Sequence, residues 1–111
     1  MSHSIKGKSV ELSSGRKVRF RYAIRDTLEI EGVIIVRLDV PVNRKLNENV
    51  YALDSQGDLL WQVKPVRHVY QRSPYVGIEK AGEFARLFNW DGNVYDVNPK
   101  TGDVISSYWG K

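Results

Sequence analysis

Apolar and polar residues alternate along most of this chain with the two-residue period of half-buried β-strands. Val10 and Leu12 lead into the turn Ser13-Ser14-Gly15, and Val18, Phe20, Tyr22 and Ile24 continue the alternation, which predicts a hairpin over residues 9–24. The same period sends Lys17, Arg19 and Arg21 to the opposite face, a cationic stripe behind an apolar one. Leu28 and Ile30 then alternate with Glu29 and Glu31, and the run Val33-Ile34-Ile35-Val36 follows Gly32. This reads as one strand bent or bulged at Gly32 and ended by Pro41, with Glu29 and Glu31 beside the cationic stripe.

Residues 42–49 are polar and read as a loop. Two matching hairpin signatures come next. Val50-Tyr51-Ala52-Leu53-Asp54 runs through Gly57-Asp58 to Leu59-Leu60-Trp61, and Val94-Tyr95-Asp96-Val97-Asn98 runs through Gly102-Asp103 to Val104-Ile105. Between them, Pro65, Pro74, Gly77 and Gly82 argue against one continuous element, although Val66, Val69 and Val76 suit short strands. Residues 79–87 carry weak helical character, and Arg86–Trp90 reads as a strand that enters the last hairpin through Asp91-Gly92. The expectation is an all-β fold: an antiparallel meander of eight or nine strands forming a rolled sheet, small barrel or sandwich.

At 111 residues the chain is expected to be a single domain, 1–111, with 1–7 as a disordered terminus. With no cysteine, disulfides and thiolate chemistry are excluded. Met1-Ser2-His3-Ser4 lacks the apolar run of a signal peptide and no stretch nears the ~20 residues of a membrane span, so a soluble, cytoplasmic protein is expected. Charge sharpens the picture through its distribution. The net is +4, yet before Asp26 seven basic residues face one acidic residue, a net of +6; the other ten basic and twelve acidic residues leave −2. A local positive field points to a partner rather than to a fold.

Catalytic groups are sparse. His3 lies in the expected frayed terminus, and His68 has no sequence-visible residue to orient it as a general base. No HxxxH, CxxC or calcium-loop spacing occurs, and Asp54, Asp58, Asp91 and Asp96 lack the ligand density of a calcium site. No enzyme activity, cofactor or metal is expected. Three binding classes remain. The preferred one is protein–protein interaction, with a partner protein or a second copy, through the irregular segment and its Arg67, His68, Tyr70, Arg72 and Tyr75. A toxin-neutralising immunity role is one concrete form. The alternative is nucleic-acid binding by Lys17, Arg19, Arg21 and Arg25, because strand residues two apart lie about 6.6 Å from each other, near the phosphate repeat. The third is carbohydrate binding by Trp61, Trp90 and Trp109, set against the plainer reading that all three are core residues.

The segment from Val50 to Trp61 resembles the hairpin repeat of quinoprotein-type β-propellers, and residues 93–105 resemble it more loosely, lacking the terminal Trp and carrying Asn98 for Asp. Their offset of about 44 residues is the size of one blade. The resemblance implies blade-like sheets. A chain this short falls below the four to eight blades of a closed propeller, so a ring would need several copies. The quinone cofactor does not carry over, since the segments that bind it have no counterpart. In size and hairpin style the chain also resembles small uncharacterised bacterial proteins encoded beside toxin genes or on mobile elements.

Overall fold

The computed structural model describes residues 3–68 and 70–110. Eleven strands are present among them: β1 (His3–Lys6), β2 (Ser9–Leu12), β3 (Lys17–Arg19), β4 (Ile24–Ile30), β5 (Val33–Leu38), β6 (Val50–Leu53), β7 (Leu59–Gln62), β8 (Tyr75–Ala81), β9 (Phe84–Asn89), β10 (Asn93–Val97) and β11 (Val104–Trp109). The fold is all-β, as the alternation predicts. The strands form three antiparallel meanders: an N-terminal sheet β1-β2-β3, a middle sheet β4-β5-β6-β7 and a C-terminal sheet ordered β11-β10-β9-β8. No described helix is long and apolar enough to cross a membrane.

Two apolar clusters stack these sheets. Val10 and Leu12 of the N-terminal sheet meet Ile34, Val36, Leu38 and Leu53 of the middle sheet, with Val18, Phe20 and Tyr51 packed alongside. The other face of the middle sheet presents Ile30, Val33, Ile35, Ala52 and Trp61 to Tyr75, Leu87, Tyr95 and Val97 of the C-terminal sheet. The middle sheet is thus covered on both faces, which explains why β5 is buried along its whole length and reads as an unbroken apolar run.

Several expectations are corrected by turn chemistry. Residues 28–36 form two strands rather than one bulged strand, because Glu31 (φ 48°) and Gly32 (φ 80°) both take the left-handed conformation and make a two-residue hairpin loop. Residues 79–87 are not helical: Gly82, at φ 63°, opens a tight loop between β8 and β9, whose strands pair from Tyr75–Asn89 to Ala81–Phe84. The terminus expected to be disordered contains β1, paired with β2 from His3–Leu12 to Lys6–Ser9, while Met1 and Ser2 lie outside the described residues. Glu29 and Glu31 do not lie beside the cationic stripe, since β4 pairs with β5 and not with β3. Instead, a Glu29 carboxylate oxygen lies 3.5 Å from His3 Nδ1.

Register reveals that the middle and C-terminal sheets are copies of one unit. In the middle sheet a row of cross-strand neighbours runs Leu28–Ile35–Ala52–Trp61. The matching row in the C-terminal sheet is Glu79–Arg86–Asp96–Ser106. Both sheets then slip register at the same place, between Ala52 and Leu53 and between Asp96 and Val97. Tyr51 and Tyr95 occupy matched positions, and each faces the preceding sheet.

Candidate functional site

The irregular segment between β7 and β8 is a strap bonded to the rest of the molecule. Asn49, fully buried, donates through Nδ2 to the carbonyls of Leu38 (2.9 Å) and Tyr75 (3.0 Å) and accepts from the Tyr75 amide (2.7 Å). Asn47 donates to the Gln71 carbonyl and accepts from the Ser73 amide, each at 2.8 Å. The Arg72 guanidinium donates to the carbonyls of Arg44, Val40 and Pro41 at 2.8–3.0 Å. Ser73 Oγ bonds Asn89 Oδ1. These bonds supply the partners that ladder hydrogen bonds would otherwise provide.

This arrangement divides the five expected partner-binding residues. Tyr75 is 3% exposed in the core, its ring 5.9 Å from Tyr95, and burial pushes its hydroxyl pKa up, with Tyr95 and Asp91 adding to the rise. Arg72 is consumed by the three carbonyls. His68 has a partner that sequence did not show: its Nδ1 lies 2.7 Å from Asp91 Oδ2, with side chains 4% and 1% exposed. Burial alone would raise the Asp91 pKa, but the His68 bond and the Asn93 amide outweigh it and hold the carboxyl below its ordinary range. Arg67 and Tyr70 are exposed. Val69, read as a strand residue, lies outside the described residues. The five side chains therefore do not converge on one surface.

The cationic set is divided as well. Lys17 and Arg19 are exposed on β3, opposite Val18, on the face of the N-terminal sheet turned away from the core. They share that face with Lys6 and Glu11, which pair at 3.8 Å. Arg21 follows the end of β3 and stacks over Tyr22 at 5.1 Å, while Arg25 is exposed on β4 of the middle sheet. None of these four cations forms an ion pair with a described carboxylate. No cluster of three or more metal-ligating side chains occurs among the described residues.

The tryptophans do not form a set either. Trp61 is a core residue, its indole donating to the Pro99 carbonyl at 2.8 Å and its ring covered by Gly102. Trp90 and Trp109 are 60% and 64% exposed, which corrects the expectation that all three are buried. Trp90 follows β9, and Trp109 pairs with Asn93 at the start of β10, so both stand at the end of the C-terminal sheet marked by the Asp91-Gly92 turn. Trp109 lies directly over Gly92, where an added Cβ would meet the indole nitrogen at 2.6 Å. Beside Trp90 is a cleft of about 180 Å³, bordered by exposed Val42 and Val76 and floored by Tyr75 and Arg72.

From Trp109 the exposed surface continues along β11, where every residue is exposed, among them Val104, Ile105 and Tyr108. β11 is the free edge of its sheet and carries no charge and no proline in Val-Ile-Ser-Ser-Tyr-Trp. The other edges differ. β3 has three residues, two of them cationic; β1 ends in Lys6; β4 carries Arg25, Asp26 and Glu29; β8 carries Glu79 and Lys80. β7 is uncharged but only four residues long. Natural sheets guard their edges with charge, proline, shortness or a β-bulge; β11 has no charge or proline and is six residues long, and its bulge at Ile105 leaves Ser106–Trp109 in regular pairing with β10.

Ladder geometry gives the open groups. Gly110 donates to the Gly92 carbonyl at 2.8 Å, so residues of the same parity on β11, Ser106 and Tyr108, bond to β10. Ser107 and Trp109 then direct their amides and carbonyls outward. Sequence reasoning missed this edge because residues 104–109 read as the second arm of a hairpin. The signal available was its lack of any charge.

Three stacked antiparallel sheets with one long, uncharged and exposed edge strand define a small β-sheet module. The chain belongs to the family described as "Domain of unknown function (DUF7957)", whose model matches residues 2–108. No curated protein matches. Among solved structures the chain is similar to the crystal structure of the computationally designed Ika8 protein, at 9% identity and a TM-score of 0.36. The match covers 98% of this chain and 48% of that one, so the chain spans about half its length.

Proposed function

We propose that this protein is a non-catalytic protein-binding module that takes on a partner by adding a strand to the β11 edge. The single observation that carries this reading is an uncharged six-residue edge strand, exposed throughout, with the exposed Trp109 at its end. Strand addition draws affinity from main-chain hydrogen bonds and specificity from alternate side chains, and exposed aromatics serve as anchors. The test is capture of a partner from native lysate by the intact protein and by Ser107→Lys, which sets a charge on the open edge without touching the β10 ladder. The reading expects a partner whose recovery falls at least tenfold with the variant. Equal recovery with both proteins would reject it.

A second reading rests on Lys17 and Arg19, exposed on the outer face of the N-terminal sheet and in no ion pair among the described residues. It assigns that face to nucleic-acid phosphates. Binding of a generic oligonucleotide would then weaken steeply with salt, and replacing both residues with glutamine would reduce the log–log slope by about 2. No binding at low salt would eliminate it.

A further inference from the structure

Resting on the strand-addition reading, we infer that the occupant of the β11 edge is a second copy of this chain, paired antiparallel about a two-fold axis near Ser107. The two four-stranded C-terminal sheets would then join into one continuous eight-stranded sheet.

Self-pairing suits this strand in two ways. First, Ser107 and Trp109 turn their amides and carbonyls outward, and a two-fold centred on Ser107 places Ser107 opposite its own copy as a hydrogen-bonded pair. Second, the side chains brought together are neutral. Ser106 falls beside the partner's Tyr108 on one face, and the small Ser107 hydroxyls meet on the other, so no like charges are opposed. Pairing β11 with β4 or β8 of another copy would instead set charged side chains against a neutral strand, in a head-to-tail contact that leaves a β11 edge open in any pair of chains.

The faces of the stack do not compete for this role. The outer face of the N-terminal sheet carries Lys6, Glu11, Lys17 and Arg19, and that of the C-terminal sheet carries the ionic row Glu79, Arg86 and Asp96 between Phe84 and the row Phe88–Val94–Tyr108. Charged groups at the centre of both outer faces would have to be desolvated under a further sheet. Growth at the β11 edge leaves both ends in water.

The experiment is solution mass by light scattering and sedimentation of the full chain, from ~10 µM to ~1 mM, the span over which small interfaces populate dimers. The expected result is a reversible rise from one chain to two. Ser107→Pro removes an outward amide, a loss that edge strands tolerate, and is expected to weaken association about 30-fold through two lost hydrogen bonds per dimer. Ser107→Lys, which opposes two charges on the axis, is expected to weaken it as well. Circular dichroism and melting of both variants should match the parent. A chain monomeric at ~1 mM, or a dimer indifferent to both substitutions, overturns the inference. If the chain is monomeric but Ser107→Lys still abolishes partner capture, strand addition stands and its occupant is another protein. If neither changes, both readings fall.

Discussion

The middle and C-terminal sheets share one strand order and one bulge position, yet the same cross-strand row is Leu28–Ile35–Ala52–Trp61 in one and Glu79–Arg86–Asp96–Ser106 in the other. The first row lies under a neighbouring sheet and the second faces water. In the second, Arg86 grips Asp96 with two bonds of 2.9 and 3.2 Å, Glu79 stands 3.9 Å away, and the guanidinium lies over Tyr108. Backbone pairing therefore builds either sheet, and the side-chain row decides whether another sheet can be laid on top. An ionic row meets its own hydrogen-bonding needs within the sheet and gains nothing from being covered.

The largest expected effect separates the rows most plainly. Trp61→Ala empties a filled site and should cost about 3–5 kcal/mol in chemical denaturation, whereas Ser106→Ala at the matched position should stay within ~0.5 kcal/mol. Equal costs would mean the rows are not equivalent. Gly102→Ala comes next. Its Cβ would lie 2.7 Å from the Trp61 ring at a backbone φ of 77°, so crowding and backbone strain should combine to cost about 2–5 kcal/mol. Gly32→Ala, with open space around it at φ 80°, should lose only about 1–2 kcal/mol.

A third change rewrites the exposed row toward the buried one. Arg86→Ile with Asp96→Ala should alter melting little but make the mass rise with concentration beyond two chains, through a new apolar face rather than the β11 edge. Ser107→Lys should not reverse that association. The smallest effect is in acid. Its hydrogen bond to Arg86 is the main reason the Asp96 carboxyl titrates below its ordinary range. As pH falls below about 4 the unfolded chain takes up the proton first, so this contribution is present above the ordinary value and is lost on passing down through the native one. Asp96→Asn should therefore make the acid limb of a stability profile shallower. Asp91 and Asp103, also lowered, should keep it from vanishing.

Period-two alternation made the strands legible, and the repeated Gly-Asp hairpins made the internal copy visible over its second half. The first halves escaped notice for a physical reason. Loop lengths differ: residues 39–49 join β5 to β6, but only residues 90–92 join β9 to β10, so the offset between copies is not constant along the chain. The β4–β5 turn was hidden because Glu31 takes a left-handed conformation that non-glycine residues seldom adopt. Placement of the site was harder still. Arg72, His68 and Tyr75 look like interface residues by type, yet Arg72 bonds backbone carbonyls and Tyr75 the Asn49 side chain, all supplied by loop 39–49, and Asp91 lies in a distant turn. Trp109 reads as core by type but is exposed, because burial is decided by tertiary packing, which leaves the β11 edge uncovered among the described residues.

Amide hydrogen exchange reads the open edge of β11 directly. In dilute protein, Ser107 and Trp109 should exchange quickly while Ser106 and Tyr108, bonded to β10, are protected; at high concentration Ser107 and Trp109 should become protected too. Ser107 and Trp109 amides that are already slow in the dilute chain, or that stay fast when it is concentrated and when partner is added, would contradict it.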